Sequence, residues 1–202
     1  MADFNKNELK ILQSLDTPAK IQDFVNSLEV NFDDSLYLSP KMVLKTKKAQ
    51  CFEGAVFAAA ALRMHGFTPY IMMLVSEYPD ENHALAVFKK DDFWGAITKT
   101  NHAVLRYREP VYANIRELVM SYFHEYFTDD GKKRLRGYSD LVDLSLFDYL
   151  GWMTTEKPLV KIADVVTETR HYAILNDAQI KDLRKADMIE IEAGKLVDKQ
   201  KK

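Results

Sequence analysis

The sequence contains a single cysteine, Cys51, among 202 residues. One thiol excludes an internal disulfide and a zinc site built on cysteines. A charge imbalance is also missing. Twenty-eight Lys and Arg stand against 30 Asp and Glu, a net charge of −2, which gives no reason to expect nucleic acid or an anionic membrane as a partner. No apolar run reaches the length of a membrane span. Met1-Ala2-Asp3-Phe4-Asn5-Lys6 lacks the charged and then apolar pattern of a signal peptide, so the cytosol (a cytoplasmic protein) is the expected compartment. No repeat, low-complexity tract or linker divides the chain. With 47% hydrophobic and 29% charged residues, residues 1–202 read as one globular domain with a sizeable core.

What is present is organised around the cysteine. After Lys48-Ala49-Gln50-Cys51-Phe52-Glu53-Gly54 come Ala55, Val56, Phe57, Ala58, Ala59, Ala60, Ala61, Leu62 and Met64, a strongly helical run ending at His65-Gly66. Cys51 therefore begins a helix, where unpaired N–H groups and the positive dipole end favour a thiolate and a developing oxyanion. Pro69 to Val75 is a short apolar run between turn residues and reads as a buried strand. Tyr78 to Asn82 is a turn. His83 to Phe88 follows as a strand with the histidine first, Lys89-Lys90-Asp91-Asp92 turns the chain, and Phe93 to Thr98 pairs back.

The order of cysteine helix, strand, histidine strand and strand resembles the transglutaminase-like superfamily. The likeness rests on Ala49 to Ala55, on Asn82-His83-Ala84 and on the strand containing Trp94, with a core of about residues 45–101. It implies that Cys51 is a nucleophile and His83 its base. The family's third member is usually an aspartate, yet this chain holds Thr98 to Asn101 in that region. Asn101, acting as an amide does in papain-like enzymes, is the favoured partner of the imidazole, with Thr98 the second choice. The implied activity is thiol-dependent acyl transfer or amide and peptide hydrolysis on a peptide or amide-bearing substrate, with no cofactor. The alternative is a binding or scaffolding module that keeps the fold without turnover. A further reading makes Cys51 a redox-sensing thiol.

The remaining segments frame this core. Phe4 to Leu15 has a helical apolar stripe, and Thr17-Pro18 starts a second helix with Ile21, Phe24, Val25 and Leu28 on one face. Asn31 to Leu44 reads as a packed crossing segment. Asn101 to Pro110 is expected to leave the strand and end at the proline, and Val111 to Phe127 to form a long helix. Lys132 to Arg136 reads as a solvated basic turn, and Leu141 to Trp152 as a buried connector. Val160 to Val166 and His171 to Leu175 read as two more strands, Ala178 to Ala186 as a short helix, Met188 to Ile191 as an edge strand, and Leu196 to Lys202 as a frayed tail. Among the other chemistry-bearing residues, Glu53 reads as a first-turn glutamate favourable to the helix dipole. Trp94 reads as core, with a lesser role walling the cleft. His65 reads as serving a helix C-terminus, and His102 lies beside the third position. His124 and His171 lack a ligand-spaced partner, so no metal is expected. The fold expected is α+β: N-terminal helices and the cysteine helix packed on a central antiparallel sheet, a transglutaminase-like or papain-like core.

Overall fold

Helix-start signals in the N-terminal quarter are each satisfied in the computed structural model, which describes residues 4–33 and 37–198. The Asn5 side chain accepts the N–H groups of Asn7 and Glu8 while Glu8 returns a bond to Asn5 N, opening α1 (Lys6–Ser14). Thr17 accepts from Lys20 N and Pro18 takes the first position of α2 (Pro18–Ser27). Beyond β1 (Glu29–Val30), Ser39-Pro40 repeats that signal and starts α3 (Pro40–Thr46). The crossing segment thus carries a helix in its second half. Part of its first half, residues 34–36, lies outside the described residues.

β2 (Lys48–Ala49) pairs in parallel with β1 and runs straight into α4 (Cys51–Met64). Every residue of α4 from Phe52 to Leu62 is buried. Alanine suits this position because it has the highest helix propensity and ends at Cβ, allowing close approach to the sheet.

The sheet is built from β3 (Tyr70–Ser76), β4 (His83–Lys90), β5 (Phe93–Thr98), β6 (Arg108–Tyr112), β7 (Leu135–Ser139), β8 (Val142–Asp143) and β9 (His171–Ala173). Its order is β6-β5-β4-β3-β7-β9, with β8 pairing β3 as well, and every pairing is antiparallel. The β4–β5 hairpin turns on Asp91 and Asp92, both at positive φ (50° and 69°), the conformation a two-residue turn between right-twisted strands requires. One face of the sheet, with Ile71, Ala84, Ala86, Phe88 and Ile97, packs on the helical layer of α1 to α4. Met72, Leu74, Leu85, Val87 and Ala96 line the other face beneath Leu118, Val119, Tyr122, Phe123 and Tyr126. Covered on both sides, β4 is apolar without interruption from Ala84 to Phe88 rather than alternating. The protein is therefore α+β on a central antiparallel sheet. Among the described residues no helix is long and apolar enough to cross a membrane.

Several segments depart from their sequence expectation. Val160 to Val166 is not a strand but part of α6 (Val160–Glu168). Its β-branched residues suggested extended chain, yet Leu159, Ile162, Ala163 and Val166 are the buried set, and that three-and-four spacing is helical. Ala178 to Ala186 contains only the short α7 (Asp177–Lys181). The expected edge strand at Met188 to Ile191 is α8 (Met188–Gly194), opened by a bond from Asp187 N to Glu190.

The long helix at Val111 to Phe127 shrinks to α5 (Ile115–Met120) and a single 3-10 turn at Phe123–Glu125. Val111 and Tyr112 complete β6, an edge strand that tolerates Pro110. At the other end, Ser121 Oγ bonds back to the Leu118 carbonyl and Arg108 occupies the Ser121 carbonyl, so the helix is not propagated. The basic run is not a solvated turn. Lys133 and Arg134 are buried, Arg134 pairs with Asp130 at 2.8 Å, and Leu135 already belongs to β7. Leu141 to Trp152 holds β8 and a 3-10 stretch, with Leu144, Phe147 and Trp152 buried. The tail is docked rather than frayed as far as Asp198: Ala103 N donates to Leu196 O at 2.8 Å, and Asp198 N to Asn101 O at 2.7 Å. Residues 199–202 lie outside the described residues.

Candidate active site

Cys51 is the first residue of α4, immediately after the β1–β2 ribbon turns the chain toward the sheet. His83 is the first residue of β4. The two line one cleft of about 270 Å³, whose walls also include Gln50, Asp80, Lys99, Asn101, His102 and Tyr126.

The sheet register explains what the thiol meets. Met73, opposite Ala84 on β3, directs its N–H to Ser139 Oγ at 2.9 Å, toward β7. In an antiparallel ladder the N–H of Ala84 then faces away from β3. On that side β5 has already ended, because its last residue, Thr98, pairs with Leu85. The freed Ala84 N–H is directed at the Cys51 sulfur, and the Phe52 N–H at the helix start joins it.

Those donors favour a thiolate, yet burial outweighs them and raises the Cys51 pKa above its ordinary value. The expectation that the helix start lowers it is therefore corrected. Burial likewise lowers the His83 pKa to about 4. Both side chains keep part of their surface on the cleft, but the protein around them disfavours charge. Burial thus favours a neutral thiol at Cys51 and a neutral imidazole at His83.

Which nitrogen of that imidazole carries the proton follows from its neighbour. His83 Nε2 lies 2.7 Å from Thr98 Oγ1, and the Thr98 hydroxyl donates to the Leu105 carbonyl at 3.0 Å. A carbonyl only accepts, and a hydroxyl has one proton to give. Thr98 must therefore accept from Nε2–H, which leaves Nδ1 as the basic nitrogen. Thr98 is itself locked in place by Gln22 of α2. The Gln22 amide accepts Thr98 N–H at 3.0 Å and donates to Thr98 O at 2.8 Å. Gln22 was not singled out from sequence, although a glutamine beside Ile21 on a buried helical face was a visible signal.

Of the residues expected at the third position, it is Thr98 and not Asn101 that meets the ring. Asn101 lines the cleft, and its carbonyl accepts from Asp198 N. His102 also lines the cleft, and its Nδ1 lies 3.1 Å from the Gly194 carbonyl. Glu53 is buried and wound into the helix start, accepting from Gln50 N and, at 2.9 Å, from Asn31 Nδ2. Trp94 lies at the far end of β5, against Tyr70 and beneath Lys89, and does not wall the cleft. His65 reaches from the end of α4 to the Leu12 carbonyl at 3.0 Å. In the cleft wall, burial raises the Asp80 pKa and lowers that of Lys99, whose ammonium donates to the Leu28 carbonyl at 2.7 Å.

Among the described residues no group of three or more His, Cys, Asp and Glu is arranged to hold a metal ion. Comparison with known protein families finds no family model that matches the chain, and no curated protein matches it.

Proposed function

We propose that the protein is a thiol-dependent acyltransferase or amidase in which Cys51 is the nucleophile and His83 the general base. The supporting observation is that Cys51 and His83 share one cleft while Thr98 fixes the imidazole with Nδ1 free. In this reading Nδ1 takes the thiol proton as the sulfur attacks an amide or thioester carbonyl. The resulting imidazolium keeps its Nε2–H on Thr98, and backbone N–H groups at the start of α4 receive the oxyanion. Nδ1–H then protonates the leaving amine or thiol, and water or an acceptor amine releases the acyl group from Cys51. No cofactor enters these steps. The substrate class is a peptide or other amide-bearing molecule, the activity implied by the transglutaminase-like resemblance.

The test is acetyl transfer from p-nitrophenyl acetate, followed by nitrophenolate release and by peptide mass mapping. Cys51 is expected to be acetylated, and His83→Ala to slow the reaction toward loss of the ~10²–10⁴-fold that a positioned base contributes. An unchanged rate in His83→Ala would sink the paired reading and leave a plain reactive thiol. The raised thiol pKa, with a hydroxyl rather than a carboxylate on the ring, favours a second reading, a binding module without turnover. Absence of any Cys51 acetylation in the parent would select it.

A further inference from the structure

The acceptor of the Thr98 hydroxyl is a peptide group in a disfavoured conformation. Leu105 has φ +58°, the left-handed region that a side-chain-bearing residue enters at a steric cost. Both polar groups of its backbone are held. Its carbonyl accepts from Thr98, and its N–H donates to Glu125 Oε2 at 2.8 Å. The same carboxylate oxygen meets Arg108 Nη2 at 2.8 Å. Arg108 is fixed in turn by the Ser121 hydroxyl and carbonyl, with its guanidinium over the Tyr122 ring, 4.0 Å from the centroid. Neither Arg108 nor Glu125 lines the cleft. A strained residue persists where its surroundings over-determine it, and here one of the two restraints on the strained peptide is Thr98, the partner of His83, while the other is Glu125.

We propose that Glu125 is a positioning residue that sets the tautomer of His83 through Leu105 and Thr98. The proposal rests on the reading of Cys51 and His83 as thiol and base. Glu125 holds the Leu105 N–H, which keeps the left-handed peptide and aims its carbonyl at Thr98 Oγ1. Thr98 then spends its proton on that carbonyl and accepts from Nε2–H. Without Glu125 the peptide relaxes to negative φ and its carbonyl turns away. The Thr98 hydroxyl is then free to donate to Nε2, which shifts the ring proton to Nδ1. That nitrogen is the one required to accept the thiol proton, so the base is blocked by the loss of a side chain that does not itself line the cleft.

The experiment reads the His83 ring by nitrogen-15 NMR in the absence of substrate, together with acetylation of Cys51. The parent is expected to show Nε2–H, Glu125→Ala a shift toward Nδ1–H with acetylation slowed by up to about a hundredfold, and Glu125→Gln, which retains an acceptor oxygen, the parent spectrum. Should Glu125→Ala fail to fold, Glu125→Asp, one methylene too short to reach the Leu105 N–H, carries the same readout. A folded Ala or Asp variant with the parent spectrum overturns the positioning role. Because the spectrum needs no turnover, a tautomer shift in a protein whose Cys51 is never acetylated would overturn the proposed function and leave this inference standing.

Discussion

A Cβ on Gly54 would stand 2.4 Å from the Cβ of Lys99. That contact brings the first turn of α4, which carries Cys51, against the residue that follows Thr98. Lys99 Cβ is the root of its side chain and cannot swing aside as a chain end would.

Two magnitudes of opposite sign meet at Gly54. Alanine in a helix is favoured over glycine by about 1 kcal/mol, whereas forcing a methyl into a packed contact costs about 1–3 kcal/mol. Since real Cβ atoms do not approach so closely, the second effect is expected to win. Gly54→Ala should lower stability in urea unfolding and slow Cys51 acetylation, because either α4 or the end of β5 must shift. A stabilised variant would show that the contact is soft.

Thr98→Val keeps the shape of a fully buried residue and removes its hydroxyl. It leaves the Leu105 carbonyl and the His83 N–H without their partner, a loss of about 1–3 kcal/mol in stability. Acetylation should fall with it, since the ring is no longer held. Asn101→Ala should change both quantities far less. Equal losses from the two variants would return the third role to Asn101.

The pH dependence follows from the imidazole. With the His83 pKa lowered from 6.5 to about 4, the unfolded chain binds a proton in that window that the folded chain refuses. Folding stability therefore rises with pH across it, and is lost as pH falls from 6.5 toward 4. The upper bound is about 3 kcal/mol, reduced by solvent on the part of the ring that faces the cleft. Equilibrium unfolding of His83→Gln should show a flatter profile than the parent. The acid limb of acetylation should likewise sit near pH 4, not near the ordinary histidine value. Matching stability slopes in parent and variant would place the ionisation elsewhere.

The elements that carry the site were legible in the sequence because their signals are local. Thr17-Pro18, the alanine run after Cys51, the apolar stretch to Val75 and the Asp91-Asp92 turn act over a few residues, and α2, α4 and the β3 to β5 strands follow from them. The helix α3, inside the stretch read as a crossing segment, was missed although Ser39-Pro40 precedes it as Thr17-Pro18 precedes α2. For α6 the β-branched composition and the buried periodicity disagreed, and packing on the helical layer decided for the periodicity.

Sequence alone therefore determined the order of elements around the cysteine and placed Cys51 and His83 at the starts of their helix and strand. Tertiary structure decided the surroundings of the two side chains. Whether Thr98 or Asn101 meets the ring depends on Gln22, 76 residues away in the chain, and on where the Leu105 carbonyl points. Whether the thiol rests charged depends on how the surrounding atoms weigh against two N–H donors, one of them freed because β5 stops at Thr98. Desolvation and hydrogen-bond direction are properties of atoms gathered from distant parts of the chain, so no local pattern of residues encodes them.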